Sequence, residues 1–170
     1  PQAALDAMLA SGRNGTRLAG VVDEKPVAEL RALTAQALQI EIDTPHTYKE
    51  SVDLFRIGKA EIEANPDGID FSGALFESLA LIGQFDRDVV MDRNSASYAQ
   101  GVAAVMENAQ TAMGHIWMVT KGNSREEQIA AGRDWVRVNL AATAQGIGFQ
   151  PLSQALQEYP EMAEIYKTVH

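Results

Sequence analysis

Three histidines are available for chemistry, His46, His115 and His170, and none stands in the H-x-x-x-H spacing that puts two imidazoles on one helix face toward a metal. His115 heads an apolar, β-branched run, where a hydrogen-bonded structural role is expected. His46 falls in the first turn of a helix, where the helix dipole disfavours its cation. Ser153 lacks the G-x-S-x-G setting of a nucleophile elbow. The chain has no cysteine, which excludes disulfides, thiolate catalysis and sulfur-ligated metals. Neither a G-x-G-x-x-G nor a G-x-x-x-x-G-K-[ST] loop is present. The usual catalytic and metal-binding constellations are therefore weak in this chain. What remains is Gly146-Ile147-Gly148, followed by Gln150-Pro151-Leu152-Ser153-Gln154. Pro151 biases Gln150 toward extended backbone. That leaves the amides of Leu152, Ser153 and Gln154 free to face a ligand.

The elements that would carry this loop are legible from periodicity. Ser124-Arg-Glu-Glu127 is a capping box. It opens a helix to about Gln145, with Ile129, Val136 and Leu140 expected to face inward and Gly146 supplying a left-handed stop. Gly132 interrupts that helix at a cost of about 1 kcal/mol relative to Ala, so close approach by another backbone or a flat ligand is expected there. The run 139–144 is nearly all small residues. Upstream, Leu5, Met8 and Leu9 line a first helix, and residues 16–22 and 115–120 read as strands. Pro26 opens a helix with Val27, Leu30, Leu33, Ala37 and Leu38 on its stripe. Pro45 opens another, expected to carry Tyr48, Val52, Phe55 and Ile62 and to stop at Asn65-Pro66-Asp67-Gly68. Ser72 is expected to cap a helix with Leu75, Phe76 and Leu79. Asp92 or Asn94 starts a longer one through Val102, Met106, Ala109 and Met113, and Pro160 begins the last. About seven helices against two to four strands predict an α+β domain spanning residues 1–170.

Composition sets the limits of what such a domain can do. The chain of 170 residues is 46% hydrophobic and only 6% aromatic, an ordinary globular balance. Its formal charge of −9 argues against nucleic acid, which needs a basic face. A small anionic cofactor needs only a local cluster of donors and stays open. No apolar run reaches the roughly 20 residues of a membrane helix. The start at Pro1, without an initiator Met, suggests a processed product or a piece of a longer chain. The compartment stays open as well.

The pattern A-G-R-x-x-x-R-x-x-L-x-A-T-A-x-G-[IL]-G-x-x-P-L-[ST]-Q over residues 131–154 resembles the corresponding segment of FMN-dependent nitroreductases. Residues 36–70 and the strand G-H-I-W-M-V-T-K-G are similar in order and character. The likeness is greatest to the branch whose bacterial parent chains often carry twin-arginine export signals and two nitroreductase-like halves. It implies an α+β fold with a small, mostly antiparallel sheet covered by many helices. It also implies that Pro151, Leu152, Ser153 and Gln154 lay backbone against a flavin edge, with Gly146 and Gly148 shaping the turn. Members usually grip the FMN phosphate with an R-x-S-x-R motif, of which Arg13 and Arg17 in Gly12-Arg-Asn-Gly-Thr-Arg17 are a loose echo. The implied activity is hydride transfer from NADH or NADPH through FMN to an electron-poor small-molecule acceptor, such as a nitroaromatic or quinone. The implied assembly is a homodimer, or a pairing with a second nitroreductase-like half. A non-catalytic protein of the same fold, sequestering flavin or pairing with another subunit, is the alternative that the loose basic motif favours. The remaining alternative is a helical domain whose 131–154 segment is only a helix, its stop and a loop.

Overall fold

The computed structural model describes residues 2–170. Its elements, in chain order, are α1 (Gln2–Leu9), β1 (Arg17–Val21), α2 (Glu24–Asp43), α3 (Pro45–Asp53), β2 (Phe55–Ile57), α4 (Gly58–Ala64), β3 (Ile69–Phe71), α5 (Ala74–Leu81), α6 (Arg87–Met91), α7 (Ala96–Thr111), β4 (His115–Val119), α8 (Arg125–Thr143) and α9 (Ala163–Val169). Two short 3-10 turns, Gln154–Leu156 and Pro160–Met162, precede α9. The chain is α+β. None of the described helices is long and apolar enough to cross a membrane.

The chain forms two compact units, and α2 runs from one into the other. The first comprises the chain up to Leu33 together with Thr111–Ser153. Here β1 and β4 pair antiparallel, with Arg17 opposite Val119 and Val21 opposite His115. A two-stranded ribbon is marginal alone, so packing against helices must hold it. Met8 from α1 meets Val138 and Ala142 from α8, and Leu18, Ile116, Ile147 and Phe149 close around them. The small side chains of α8 let these neighbours approach closely.

The second unit comprises Thr34–Gln110 and Gln154–His170. Its β2 and β3 are parallel, in the register Phe55–Ile69 to Ile57–Phe71. Parallel neighbours need a crossover, and α4 with the turn at Pro66 and Gly68 supplies it. The core here is aromatic. Val52, Phe85 and Val90 are buried against Tyr48, Phe55, Phe71 and Phe76, and the rings of Phe71 and Phe85 meet edge to face at 5.1 Å. Such pairs contribute about 0.5–1.5 kcal/mol beyond their buried area. Arg87 crosses to Glu61 at 2.6 Å and also donates to the Phe55 carbonyl, tying α6 to the β2 end.

Several expectations are corrected. The single helix expected from Pro45 to Ile62 breaks at Leu54: Phe55 and Ile57 lie in β2, because pairing with β3 and the Phe71 ring outcompetes continued helix. Ser72 does not cap α5, whose N-cap is Gly73. Asp86 caps the unanticipated α6 through the Val89 amide, and the Ser95 hydroxyl accepts from Tyr98 at the head of α7. The small sheet expected to be mostly antiparallel is instead one antiparallel and one parallel pair. Most consequential is α8, where Ile129, Val136 and Leu140 are 46%, 49% and 63% exposed rather than facing inward. The buried stripe is Asp134, Val138 and Ala142.

Candidate functional site

Helix α8 starts as its sequence prescribes. The Ser124 hydroxyl accepts from the Glu127 amide, and the Glu127 carboxylate accepts from the Ser124 amide at 2.9 Å. It also stops as prescribed. Gly146 adopts φ +69°, and the amides of Gly146 and Ile147 close onto the carbonyls of Thr143 and Ala142, the paired bonds of a left-handed helix stop. A Cβ at Gly148 would meet nothing and its φ is ordinary, so the turn itself rests on Gly146.

Beyond the stop the chain folds back along the buried side of α8, with Ile147 and Phe149 in the core and the Phe149 ring 6.1 Å from Trp135. Pro151 and Ser153 are exposed and Leu152 half-buried. Among the described residues, no acceptor takes the amides of Leu152 or Ser153. Gln154 behaves differently: it opens the first 3-10 turn of the second unit. Burial raises the carboxyl of Glu41 in the same unit, although the hydrogen bond from Ser51 partly opposes that.

The residue that sequence reading missed is Asp134. It is fully buried, 0% exposed, on the stripe of α8 that meets the 12–16 loop. Its Oδ1 accepts from the amides of Arg13 at 2.8 Å and Asn14 at 3.0 Å and from the Asn14 side-chain amide at 2.7 Å. Its Oδ2 accepts from the Thr16 amide at 3.3 Å. Burial alone would raise this carboxyl, but the converging donors outweigh it and hold it well below the usual carboxylate range. An acid in the middle of an amphipathic helix reads as a solvated residue. Only its phase with Val138 and Ala142 marked it as inward.

On the opposite side of α8, an open groove of about 560 Å³ is lined by Asn14, Gly132, Arg133, Arg137 and the apolar Ile129, Val136 and Leu140. This volume lies within the range of small-molecule sites, about 300–1,000 Å³. A Cβ at Gly132 would meet nothing, so no neighbour in the chain accounts for that glycine. Arg13 and Arg17 are exposed, and neither they nor Arg133 and Arg137 form an ion pair among the described residues. The first unit holds eight Lys and Arg against seven Asp and Glu, whereas the second holds six against sixteen. The acidity of the chain therefore belongs to the second unit alone.

His115 lacks the partner expected for it. Both ring nitrogens are shielded without a hydrogen bond, and burial, then the nearby Arg31, push its pKa down. The His46 ring lies edge-on to Tyr159 at 5.9 Å. Among the described residues, no three His, Asp or Glu side chains group as a metal site would require. Comparison with protein-family models, with curated proteins and with solved structures finds no match to this chain.

Proposed function

We propose that this chain is an FMN-binding oxidoreductase of nitroreductase type with the corresponding fold, acting as one partner of a pair. The carrying observation is that the first unit keeps unspent donors where the resemblance asks for them: the amides of Leu152 and Ser153 after the Gly146 stop, and the unpaired Arg13 and Arg17. A flavin mononucleotide needs donors at its ring edge and cations at its phosphate, so these residues fit the group. Arg13 and Arg17 would hold the phosphate. The loop 151–153 would orient the ring edge, and the half-buried Leu152 would limit water there. When bound, FMN supplies the two-electron relay from NADH or NADPH to a nitroaromatic or quinone. The protein contributes no acid or base of its own to that reading.

Two measurements test it. The purified protein, or the apoprotein after addition of FMN, should absorb near 450 nm (roughly, as oxidised flavins do) and should oxidise NADH or NADPH with a nitroaromatic acceptor. Bound flavin without turnover would instead select the sequestering alternative, and a colourless protein that takes up no FMN would sink both.

The exposed apolar stripe of α8 supports the pairing. Because Val136 and Leu140 contribute little to the core of a single copy, the double change Val136→Ser, Leu140→Ser is expected to leave its melting temperature within about 2 °C. The same change should weaken association at least about tenfold by analytical ultracentrifugation, as loss of two apolar anchors does. A wild-type protein that stays monomeric at every concentration, without a second half, would refute the pairing.

A further inference from the structure

We infer that the exposed face of α8 docks on the solvent face of α5 in a second copy of this chain. This deepens the pairing proposed above and rests on that pairing, but not on the flavin.

Helix α5 has no buried residue. Phe76 and Leu79 lean on the aromatic core of the second unit. At about 100° per residue, Leu75, Glu77, Ser78 and Leu81 fall on the other side, joined by Ile82 directly after the helix. Leu75, Leu81 and Ile82 are 66%, 87% and 66% exposed, and bare aliphatic side chains gathered in this way mark an interaction surface. The one charge on this face is Glu77, which forms no ion pair among the described residues. Asp70, Asp86 and Asp88, exposed on either side of α5 in the chain, form none either. All six Lys and Arg of the second unit already pair with other carboxylates. A cation to face Glu77 must therefore come from outside that unit.

The exposed face of α8 offers what α5 lacks. Ile129, Gly132, Arg133 and Val136 stand at i, i+3, i+4 and i+7, and Arg133, Val136, Arg137 and Leu140 repeat the spacing. Four residues so spaced frame the hole that a side chain of a partner helix enters. Open space at Gly132 leaves the first hole wide enough for a bulky aliphatic side chain, which Leu75, Leu81 and Ile82 supply. Arg133 and Arg137 then meet the carboxylates of α5 and its flanks. Two α8 faces set against each other would instead gather two guanidinium groups from each copy, with no acid among the groove residues. Two α5 faces would do the same with carboxylates. Only the unlike pairing satisfies both, and the acid excess of the second unit steers it.

The test is a charge exchange on the full chain, read by sedimentation velocity. Glu77→Arg turns the α5 face basic, and the double change Arg133→Glu, Arg137→Glu turns the α8 face acidic. Each alone should weaken self-association at least about tenfold, because like charges then meet. Mixed in equal amounts, the two variants should associate to within about threefold of wild type. Each reversed face then meets its new complement, and each native face its old one. The double change Leu75→Ser, Ile82→Ser reads the apolar half of the contact, with the same expected loss, and covers the case in which a reversed variant does not fold. A Glu77→Arg chain that associates as wild type does, or a mixture as weak as its components, overturns the contact between α5 and α8. If wild type still associates, the pairing itself then stands on another face. Wild type that stays monomeric at every concentration overturns both, and the flavin absorbance is read separately from either.

Discussion

Asp134→Ala is expected to destabilise the protein by about 3 kcal/mol, measured as a lowered urea midpoint followed by circular dichroism. Removing a buried ionised acceptor costs about 2–5 kcal/mol because the groups it satisfied are left without partners. Here those groups are three amides and the Asn14 side chain, and the Met8–Val138–Ala142 core lies one turn along the same stripe. The pH dependence follows from the direction of the shift. The folded carboxyl is held below its unfolded value, so on acidification the unfolded chain takes up the proton first. The stabilisation is therefore complete above the ordinary carboxylate range, near pH 4, and is lost as pH falls toward the depressed folded value. Asp134→Asn has no such proton to take up. The stability gap between wild type and Asp134→Asn should accordingly shrink steadily below about pH 4. A gap that stays constant from neutral pH into acid would contradict the assignment of Asp134 as an ionised, satisfied carboxylate.

Gly20→Val is the second large effect, expected at about 3 kcal/mol with loss of β1–β4 pairing. A Cβ at Gly20 would stand 2.7 Å from the His115 carbonyl oxygen, 2.8 Å from a Leu5 methyl and 3.1 Å from Ile116. The carbonyl is backbone held in the antiparallel register, so it cannot rotate aside as a side chain would. The valine must push the strands apart or drive α1 outward, and either motion opens the core of the first unit. Glycine inside a strand commonly marks such an approach. Gly101→Ala is the control: in α7 an added methyl meets nothing, so it should be neutral or stabilise by up to about 1 kcal/mol. Amide exchange of residues 17–21 and 115–119 reads the first variant directly. Unchanged protection in a folded Gly20→Val would show that the strands tolerate the contact.

Sequence alone determined the features whose causes are local. The capping box at Ser124 and Glu127, the stop at Gly146 and the two strands of the first unit follow from residue types a few positions apart, and they stand as read. The stretch after the stop, around Pro151, carries no regular element as far as Ser153. Tertiary structure decided which face of α8 is the inside. Two stripes were available: Ile129, Val136 and Leu140 carry the bulk, whereas Asp134, Val138 and Ala142 carry an acid and small side chains. Periodicity favours the first stripe. The second won because the 12–16 loop delivers its amides to Asp134 and α1 delivers Met8, and both partners lie more than a hundred residues away in sequence. A nearer partner decides β2, where Phe55 leaves the expected helix to pair beside Ile69 and pack on Phe71, both beyond the reach of one helical window.

The glycine-marked segment at 146–154 was thus legible as a turn with unspent amides. The buried acid that positions the loop of Arg13 and Arg17 was not, because a carboxylate is recognised as structural only once its donors are brought to it. Local grammar sets where α8 begins and ends. Which of its faces is buried, and which is left with two unpaired arginines and an open glycine, depends on contacts that no window of sequence contains.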